Sequence, residues 1–406
     1  MLDDSLLDDP AALQRADRDH ALLALAGSGA RVRTALRLAR AAGLDALRPE
    51  GRPRAVLVAG PDGALTAGRA LAALVGGAGL VYPLAAVDVL PSEPFSAGLS
   101  WQLPGWAGPL DLLVVASAEG VEEGLIRLAE QAYGRGCAIT VIAPEGRPLA
   151  EAAAQVRALP LPYAVGALAE PVAAPAEPDL PAEDPGAFWA FLAPLLALAE
   201  RIGLLRLGPA ELPALADLLD ELAVRHRPDA PAYRNPAKGL AAQLAGTVPL
   251  LWSDGEPAGV AAERLAAMLA DRAGRPAVTG RLPQALTTHR GMFSGQLGAG
   301  GDPDDFFRDR VEEPEPQPLS LELLLLRHTP RPAGAAEGEG SEPGAPADQA
   351  PAGHAVRRAR RLAEAHEVRL TELTAERPEP LAALAELVSL GDFAAVYLGL
   401  ATGSGH

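Results

Sequence analysis

The sequence predicts an α/β protein with two doubly wound parallel sheets covered by helices, and three observations support this fold class. Short, continuous apolar runs alternate with helical patterns, as expected of parallel strands that are buried on both faces. The chain has 406 residues, enough for two domains with hydrophobic cores. Residues 56–74 and 248–269 share the order apolar strand, Asp-Gly turn and Ala-rich helix. This similarity indicates two related halves.

The first half follows the strand–helix alternation in order. Residues 10–48 carry a helical period, and AVLVAG at 55–60 predicts a buried strand. The turn PDG and the helical segment ALTAGRALAALV come next. Further buried strands are predicted near 80–87, at 111–116 and at 137–143, with helical patterns between them.

The second half begins with helical sequence and then repeats the alternation. Its strands are predicted in VPLLWSDG from residue 248, at 274–280 and at 319–328, and an apolar helix over 378–402 closes the chain.

Composition sets the expected domain boundaries. The Pro-, Ala- and Glu-rich stretch at 168–186 is typical of an interdomain linker, and the low-complexity stretch at 331–353 is typical of a mobile loop. The predicted segments are a helical N-terminal segment (1–49), a first subdomain (50–167), the linker (168–186), a second subdomain (187–330), the loop (331–353) and the C-terminal part of the second subdomain (354–406).

Charge and composition exclude several classes of function. The net charge of −17 argues against a nucleic-acid or anionic-membrane surface, because no broad basic face is available. The acidic N-terminus lacks a signal-peptide pattern, and the apolar helical stretch at 188–199 is short for a bilayer span. The single cysteine, Cys137, fits a reducing compartment and is either a nucleophile or a small buried hydrophobe. We expect a cytoplasmic protein that binds neither nucleic acid nor membranes.

Two glycine-containing turns follow predicted strands and are candidate anion sites. In GPDGALTAG (60–68), the turn around Gly60 and Gly63 can present backbone N–H groups and a helix N-terminus to an anion. An ordinary tight turn is the alternative. In VVASAEGVEEGL (114–125), Ser117 can contact phosphate, whereas Glu122 and Glu123 would repel an anion and favour the helix dipole.

Two cations stand in turns where a ligand can be bound. Arg147 follows another strand end in APEGRPLAE (143–151), and the alternative is a solvated loop charge. In YRNPAKGLAAQLAG (233–246), Asn235 and Pro236 are explained as the start of a helix. Lys238 opposes the dipole of that helix, which indicates either a specific partner or a salt bridge.

Asp271 and His289 flank a predicted strand and are candidates for an acid/base pair, with a chance placement as the alternative. The remaining histidines have no metal-ligand spacing, so we expect neither a metal site nor a cofactor.

The order of these segments resembles the SIS (sugar isomerase) family, and most of all its bifunctional phosphoglucose/phosphomannose isomerases. The helix NPAKGLAAQLAG leading into VPLLWSDG is similar to the start of the family's second SIS half. FFRDRVEE (306–313) and LVSLGDFAAVYLGLATG (387–403) resemble its late and C-terminal signatures. The resemblance extends over residues 50–403, with 331–353 as an insertion.

The resemblance implies an enzyme that interconverts aldose and ketose 6-phosphates without a metal. It places Asp271 at the position of the family's proton-transferring glutamate, with a side chain that is one methylene shorter. It places Arg147 near the enediolate charge. His289, shifted along the chain from the family's histidine, would assist ring opening. A phosphorylated sugar would be bound at Gly60, Gly63, Ser117 and Lys238. The resemblance also implies a homodimer.

The chain departs from the family where phosphate is held. Ala64, Ala116, Ala118 and Val121 stand where the family has hydroxyl residues, and the family's terminal lysine has no counterpart. Because each charge-assisted hydrogen bond contributes roughly 1.5–3 kcal/mol, phosphate binding should be much weaker.

Two hypotheses follow from these departures. The chain is a sugar-phosphate isomerase with a remodelled site, or a catalytically silent SIS protein that binds a sugar derivative or a protein partner in a regulatory or scaffolding role. The residues favour an isomerase-like protein with little or no phosphoglucose/phosphomannose isomerase activity.

Overall fold

The chain folds into two compact units whose boundary differs from the predicted linker. The computed structural model describes residues 4–49, 51–92, 95–166, 183–294, 319–329 and 353–403. The N-terminal unit is Asp17–Val224, and the C-terminal unit combines Arg225–Gly405 with Met1–Ala16. The helical sequence after the predicted linker therefore belongs mostly to the N-terminal unit. Residues 168–182, 306–313 and 331–352, on which a linker, a family signature and a loop were predicted, lie outside the described residues.

The N-terminal unit is built on a five-stranded parallel sheet. The first two helices of the chain, α1 (Asp4–Leu7) and α2 (Pro10–Ala16), belong to the other unit. The elements that follow are α3 (Ala21–Ala26), α4 (Ser28–Ala41), β1 (Ala55–Ala59), α5 (Asp62–Val75), β2 (Leu80–Leu84), β3 (Asp88–Val89), β4 (Leu99–Ser100), β5 (Leu112–Ala116), α6 (Glu123–Gly134), β6 (Ala138–Ala143), α7 (Pro148–Gln155), β7 (Leu159–Pro162), α8 (Ala187–Arg201) and α9 (Glu211–Arg225). The sheet order is β2-β1-β5-β6-β7 with every pair parallel.

Uninterrupted apolar sequence explains the central strands of this sheet. All five residues of β1 and all five of β5 are buried, because helices cover both faces. On α6, the buried residues Leu125, Leu128, Ala129 and Ala132 recur at helical spacing and form one face of the core. The short antiparallel pair β3–β4 is an addition that the apolar pattern did not predict.

The C-terminal unit contains a second parallel sheet, with four strands. Besides α1 and α2, its elements are α10 (Pro236–Leu244), β8 (Thr247–Asp254), α11 (Glu256–Ala273), β9 (Val278–Arg281), α12 (Ala285–Thr288), α13 (Arg290–Phe293), β10 (Ser320–Arg327), α14 (Gly353–Ala365), β11 (Arg369–Thr374) and α15 (Pro380–Thr402). The sheet order is β11-β10-β8-β9, again with every pair parallel.

The last helix, α15, is the central core helix of the C-terminal unit. It packs against α10 and α11. By length and composition, it is the one helix among the described residues that could cross a membrane, with a mean hydropathy of 1.6 in its most apolar window. However, 89% of that window is buried inside the protein. Its apolar character is therefore explained by packing.

The two sheets share one strand order, which confirms the predicted fold class. In each sheet the first strand, β1 or β8, lies between the second strand and the third. The similar segments 56–74 and 248–269 form the β1–α5 and β8–α11 units. Each segment therefore opens the sheet of its own unit.

Candidate functional site

Four of the predicted site residues lie at the carboxyl edge of the N-terminal sheet. Strand order reverses between the neighbouring strands β1 and β5, and ligands of doubly wound sheets bind outside the carboxyl ends at such a point. Gly60 follows β1 and Ser117 follows β5. A side chain at Gly60 would collide with the carbonyl oxygen of Ala116, so the two strand ends can approach this closely only with glycine.

Arg147 joins this edge from the next strand. It is the N-cap residue of α7, and the loop is tied to the β5–α6 turn by a 3.0 Å hydrogen bond that the Leu149 N–H donates to the Gly120 carbonyl. The Arg147 side chain is exposed. Among the described residues, no acceptor or carboxylate binds its guanidinium. Within the described part of the chain, Arg147 is therefore an unpaired cation beside the Ser117 turn.

Ser117 is fully engaged within its own loop. Its hydroxyl donates to Oε1 of Glu122 at 2.8 Å and accepts the backbone N–H groups of Glu119 at 3.0 Å and Gly120 at 2.6 Å. The residue is completely buried. The hydroxyl and the two N–H groups that a phosphate would use therefore bind each other and Glu122.

The two acids of this loop have different roles. Burial raises the pKa of Glu122, a residue that is 1% exposed and whose carboxyl group is bound to Ser117. Glu123 is at the start of α6 and forms a 2.6 Å ion pair with Arg127 one turn later. Both acids stand at the start of α6, Glu122 as its N-cap residue and Glu123 as its first residue, but only Glu123 is exposed.

The first glycine turn is occupied by a carboxylate of the same unit. Glu183 Oε1 accepts the backbone N–H of Gly63 at 2.7 Å, in the first turn of α5. A side chain at position 63 would have to displace that carboxylate. A helix N-terminus favours negative charge. Here the negative charge comes from the chain itself.

Lys238 lies inside the C-terminal unit and binds the main chain. Its Nζ donates to the carbonyl oxygens of Pro228 at 2.6 Å and Ala230 at 2.8 Å, and lies 5.6 Å from the centre of the Tyr397 ring. Burial lowers its pKa. These contacts explain why a lysine opposes the dipole of α10. A role towards a ligand stays a prediction.

The structure does not bring Asp271 and His289 together. Asp271 lies in the last turn of α11, which leads into the amino end of β9, and it pairs with Arg272 at 2.9 Å. His289 lies beyond the carboxyl end of β9, after α12. In the parts of the chain that are described, no hydrogen bond or ion pair joins these two side chains. A separate catalytic role for each stays a prediction.

His289 instead binds a tryptophan. The indole Nε1–H of Trp252 donates to Nδ1 of His289 at 2.9 Å, and the ring centres lie 6.0 Å apart. Burial lowers the pKa of His289. Trp252 lies in the apolar run of β8, where the sequence predicted a strand and no site residue.

The residues that the sequence analysis missed are Glu122 as the partner of Ser117, Glu183 and Trp252. Glu183 lies in the predicted linker, far from Gly63 along the chain, and no local pattern marks it.

The described residues contain no cluster of three or more His, Cys, Asp or Glu side chains able to hold a metal ion. Cys137 lies in the N-terminal core, and burial raises the pKa of its thiol, which disfavours the nucleophilic thiolate. A largely apolar cavity of about 430 Å³ beside β6 and β7 is lined by Glu145 and Gly146 but not by Gly60, Gly63 or Ser117.

Residues 233–404 match the family model described as the bacterial phospho-glucose isomerase C-terminal SIS domain. This match confirms the resemblance to the SIS family. No curated protein matches the chain.

Three solved structures share the fold over nearly the whole chain. A hypothetical protein from Thermus thermophilus is 16% identical, with 98% of this chain and 89% of that chain covered and a TM-score of 0.56. A candidate sugar binding protein from Salmonella typhimurium is 13% identical, with 93% and 99% covered and a TM-score of 0.56. A candidate phosphosugar isomerase from Clostridium difficile is 10% identical, with 92% and 91% covered and a TM-score of 0.54. At these identities the likeness concerns the fold.

Proposed function

We propose that this chain, whose residues 233–404 form a SIS domain of the bacterial phosphoglucose isomerase type, binds a carbohydrate derivative and has little or no phosphoglucose or phosphomannose isomerase activity. The phosphosugar-isomerase-like fold gives the class of ligand. The hydrogen bonds that already occupy the two glycine turns support the proposal of low isomerase activity. We further propose that it acts as a cytoplasmic homodimer, as the family resemblance implies.

The observation that carries this proposal is that other groups of the chain already bind the polar groups of both glycine turns. The Ser117 hydroxyl and the N–H groups of Glu119 and Gly120 bind within their own loop, and the Gly63 N–H binds Glu183. A phosphate must break these contacts before it forms its own. Because each charge-assisted hydrogen bond contributes about 1.5–3 kcal/mol, losing two of them weakens binding roughly a hundredfold or more.

Arg147 supports the alternative, an active isomerase for another phosphosugar. Its guanidinium has no protein partner among the described residues and lies at the sheet edge where an anion or a developing oxyanion would be bound. In a binding protein, the same cation would hold a carboxylate or hydroxyl of the sugar derivative.

Isothermal titration calorimetry with glucose, fructose and their 6-phosphates tests the proposal. We expect each 6-phosphate to bind no more than about tenfold more tightly than its parent sugar, a difference of about 1.4 kcal/mol. A thousandfold preference for the 6-phosphates that Arg147→Ala abolishes would contradict the proposal. Arg157→Ala, which removes a charge from the same unit, is the control.

A further inference from the structure

We infer that Trp252 is a positioning residue that holds His289 as the neutral tautomer with its proton on Nε2. His289 then donates a hydrogen bond to a ligand oxygen and does not exchange protons with the ligand. The identity of that oxygen, a carbohydrate hydroxyl or carbonyl, rests on the proposed function, whereas the tautomer does not.

The hydrogen bond from Trp252 fixes which imidazole nitrogen of His289 carries the proton. An indole nitrogen can only donate, so the imidazole nitrogen facing it must carry a free lone pair. The Trp252 Nε1–H lies 2.9 Å from His289 Nδ1. The proton of the neutral ring is therefore on Nε2, since the hydrogen bond made by one ring nitrogen decides the state of the other.

Close packing keeps the His289 ring in place beside Trp252. Trp252 is fully buried on β8 and is paired in register with Gly280 on β9. A side-chain carbon at Gly280 would lie 2.6 Å from Cε1 of His289 and 2.8 Å from Cβ of Ala285. The imidazole thus occupies the space that glycine leaves open. The Phe293 ring also packs against the indole of Trp252, with the ring centres 5.7 Å apart.

The surroundings of His289 favour the neutral form of its ring. A proton on Nδ1 would bring two N–H donors face to face, so the hydrogen bond from Trp252 favours the neutral ring. Burial lowers the pKa of His289 in the same direction. Both effects oppose the imidazolium form.

The other ring nitrogen of His289, Nε2, is left to bind a ligand. The ring is half-buried, and Nε2 has no hydrogen-bond partner among the described residues. A neutral Nε2–H suits a sugar hydroxyl or carbonyl oxygen as acceptor. Transfer of that proton would leave an imidazolate, and uptake of a proton on Nδ1 would break the bond to Trp252. His289 is thus assigned as a donor instead of the acid/base group that the sequence suggested.

Nitrogen-15 NMR of histidine-labelled protein tests the tautomer directly. Comparison with His289→Gln assigns the His289 signals. At pH 7 we expect a pyrrole-type Nε2 and a pyridine-type Nδ1. In Trp252→Phe, which removes only the N–H group and part of the ring, we expect the averaged signals of a mixture of tautomers. Trp189→Phe, at a buried tryptophan of the other unit, should leave the spectrum unchanged.

The wild-type spectrum decides the tautomer even if Trp252→Phe does not fold. A protonated Nδ1, or averaged signals in the wild-type protein, would overturn the inference. Titration with glucose and glucose 6-phosphate then separates the two proposals. A sugar that binds by calorimetry should shift Nε2 alone, and a binding sugar that shifts Nδ1 or neither nitrogen overturns the donor role. If neither these two sugars nor fructose and its 6-phosphate bind by calorimetry, the proposed function fails, and the tautomer is still judged by the ligand-free spectrum.

Discussion

At the scale of single residues, His226 links burial to pH-dependent stability. The residue is 2% exposed, and neither ring nitrogen has a hydrogen-bond partner in the described part of the chain. Burial, and secondarily the charge of Arg225, lowers the pKa of His226 to about 4 from the ordinary 6.5. The unfolded chain therefore takes up a proton at a higher pH than the folded chain does. The resulting stability is present above pH 6.5 and is lost as the pH falls from there through 4.

His226→Met tests this linkage, because it removes the titrating group and keeps an apolar side chain of similar size. Between pH 8 and pH 5, the free energy of unfolding should fall by about 2 kcal/mol more in the wild-type protein than in the variant. Urea denaturation at several pH values measures the difference. Equal pH dependence of the two proteins would show that His226 does not carry it.

His289 and Ser117 show how far residue types predict a site. Both were recognised as polar groups after strand ends, and both lie there. Their partners, Trp252 and Glu122, are ordinary core and helix-start residues by pattern. The direction of a hydrogen bond depends on tertiary packing, so the sequence suggested acid/base chemistry and phosphate contact at groups that are already hydrogen-bonded within the protein.

At the scale of elements, the C-terminal signature is explained by the contact between α15 and α11. Arg264 Nε lies 2.9 Å from both carboxylate oxygens of Asp392, and its Nη2 lies 2.8 Å from Oδ2. The two side chains are 6% and 1% exposed. Arg264 and Asp392 thus join two core helices through a buried, bidentate pair.

Breaking this pair on one side should destabilise the C-terminal unit strongly. Arg264→Met leaves the Asp392 carboxylate buried without this partner, and we expect a loss of roughly 3–5 kcal/mol. The double variant Arg264→Met/Asp392→Leu should recover much of that loss, because no buried charge remains. Urea denaturation compares the three proteins. A single variant as stable as the wild type would show that the pair does not hold the helices together.

Glu183 at the start of α5 gives a second prediction for an element. Glu183→Ala frees the Gly63 N–H and removes the competing negative charge from the helix N-terminus. We expect inorganic phosphate and glucose 6-phosphate to bind the variant at least about tenfold more tightly than they bind the wild-type protein.

The matched control is Asp62→Ala, which removes an exposed negative charge from the first turn of the same helix without freeing Gly63. Calorimetric titration should show a clearly larger gain for Glu183→Ala. An equal gain in the two variants would mean that net charge, and not the carboxylate on Gly63, weakens anion binding.

The elements themselves were predictable because their cause is local. The buried strands AVLVA and LLVVA and the amphipathic period of α6 are read directly from sequence. The contact between Glu183 and Gly63 is not, because 120 positions separate the two residues.

At the scale of the whole molecule, the repeated strand order was predictable from two similar segments, and the division into units was not. The helical sequence that follows the predicted linker belongs mostly to the N-terminal unit, and Met1–Ala16 belongs to the C-terminal unit. Composition marks where a chain lacks apolar sequence. It does not report which sheet a later helix covers.

At this scale, a fold shared with phosphosugar isomerases carries two glycine turns whose polar groups already bind other groups of the chain. The most direct test measures the conversion of fructose 6-phosphate to glucose 6-phosphate and mannose 6-phosphate in coupled assays. The assays compare the wild-type protein with Arg147→Ala and Asp271→Asn. We predict that wild-type turnover is at the level of both variants and of the reaction without protein. Turnover well above that level in the wild type, abolished by Arg147→Ala or Asp271→Asn, would contradict the proposed low isomerase activity.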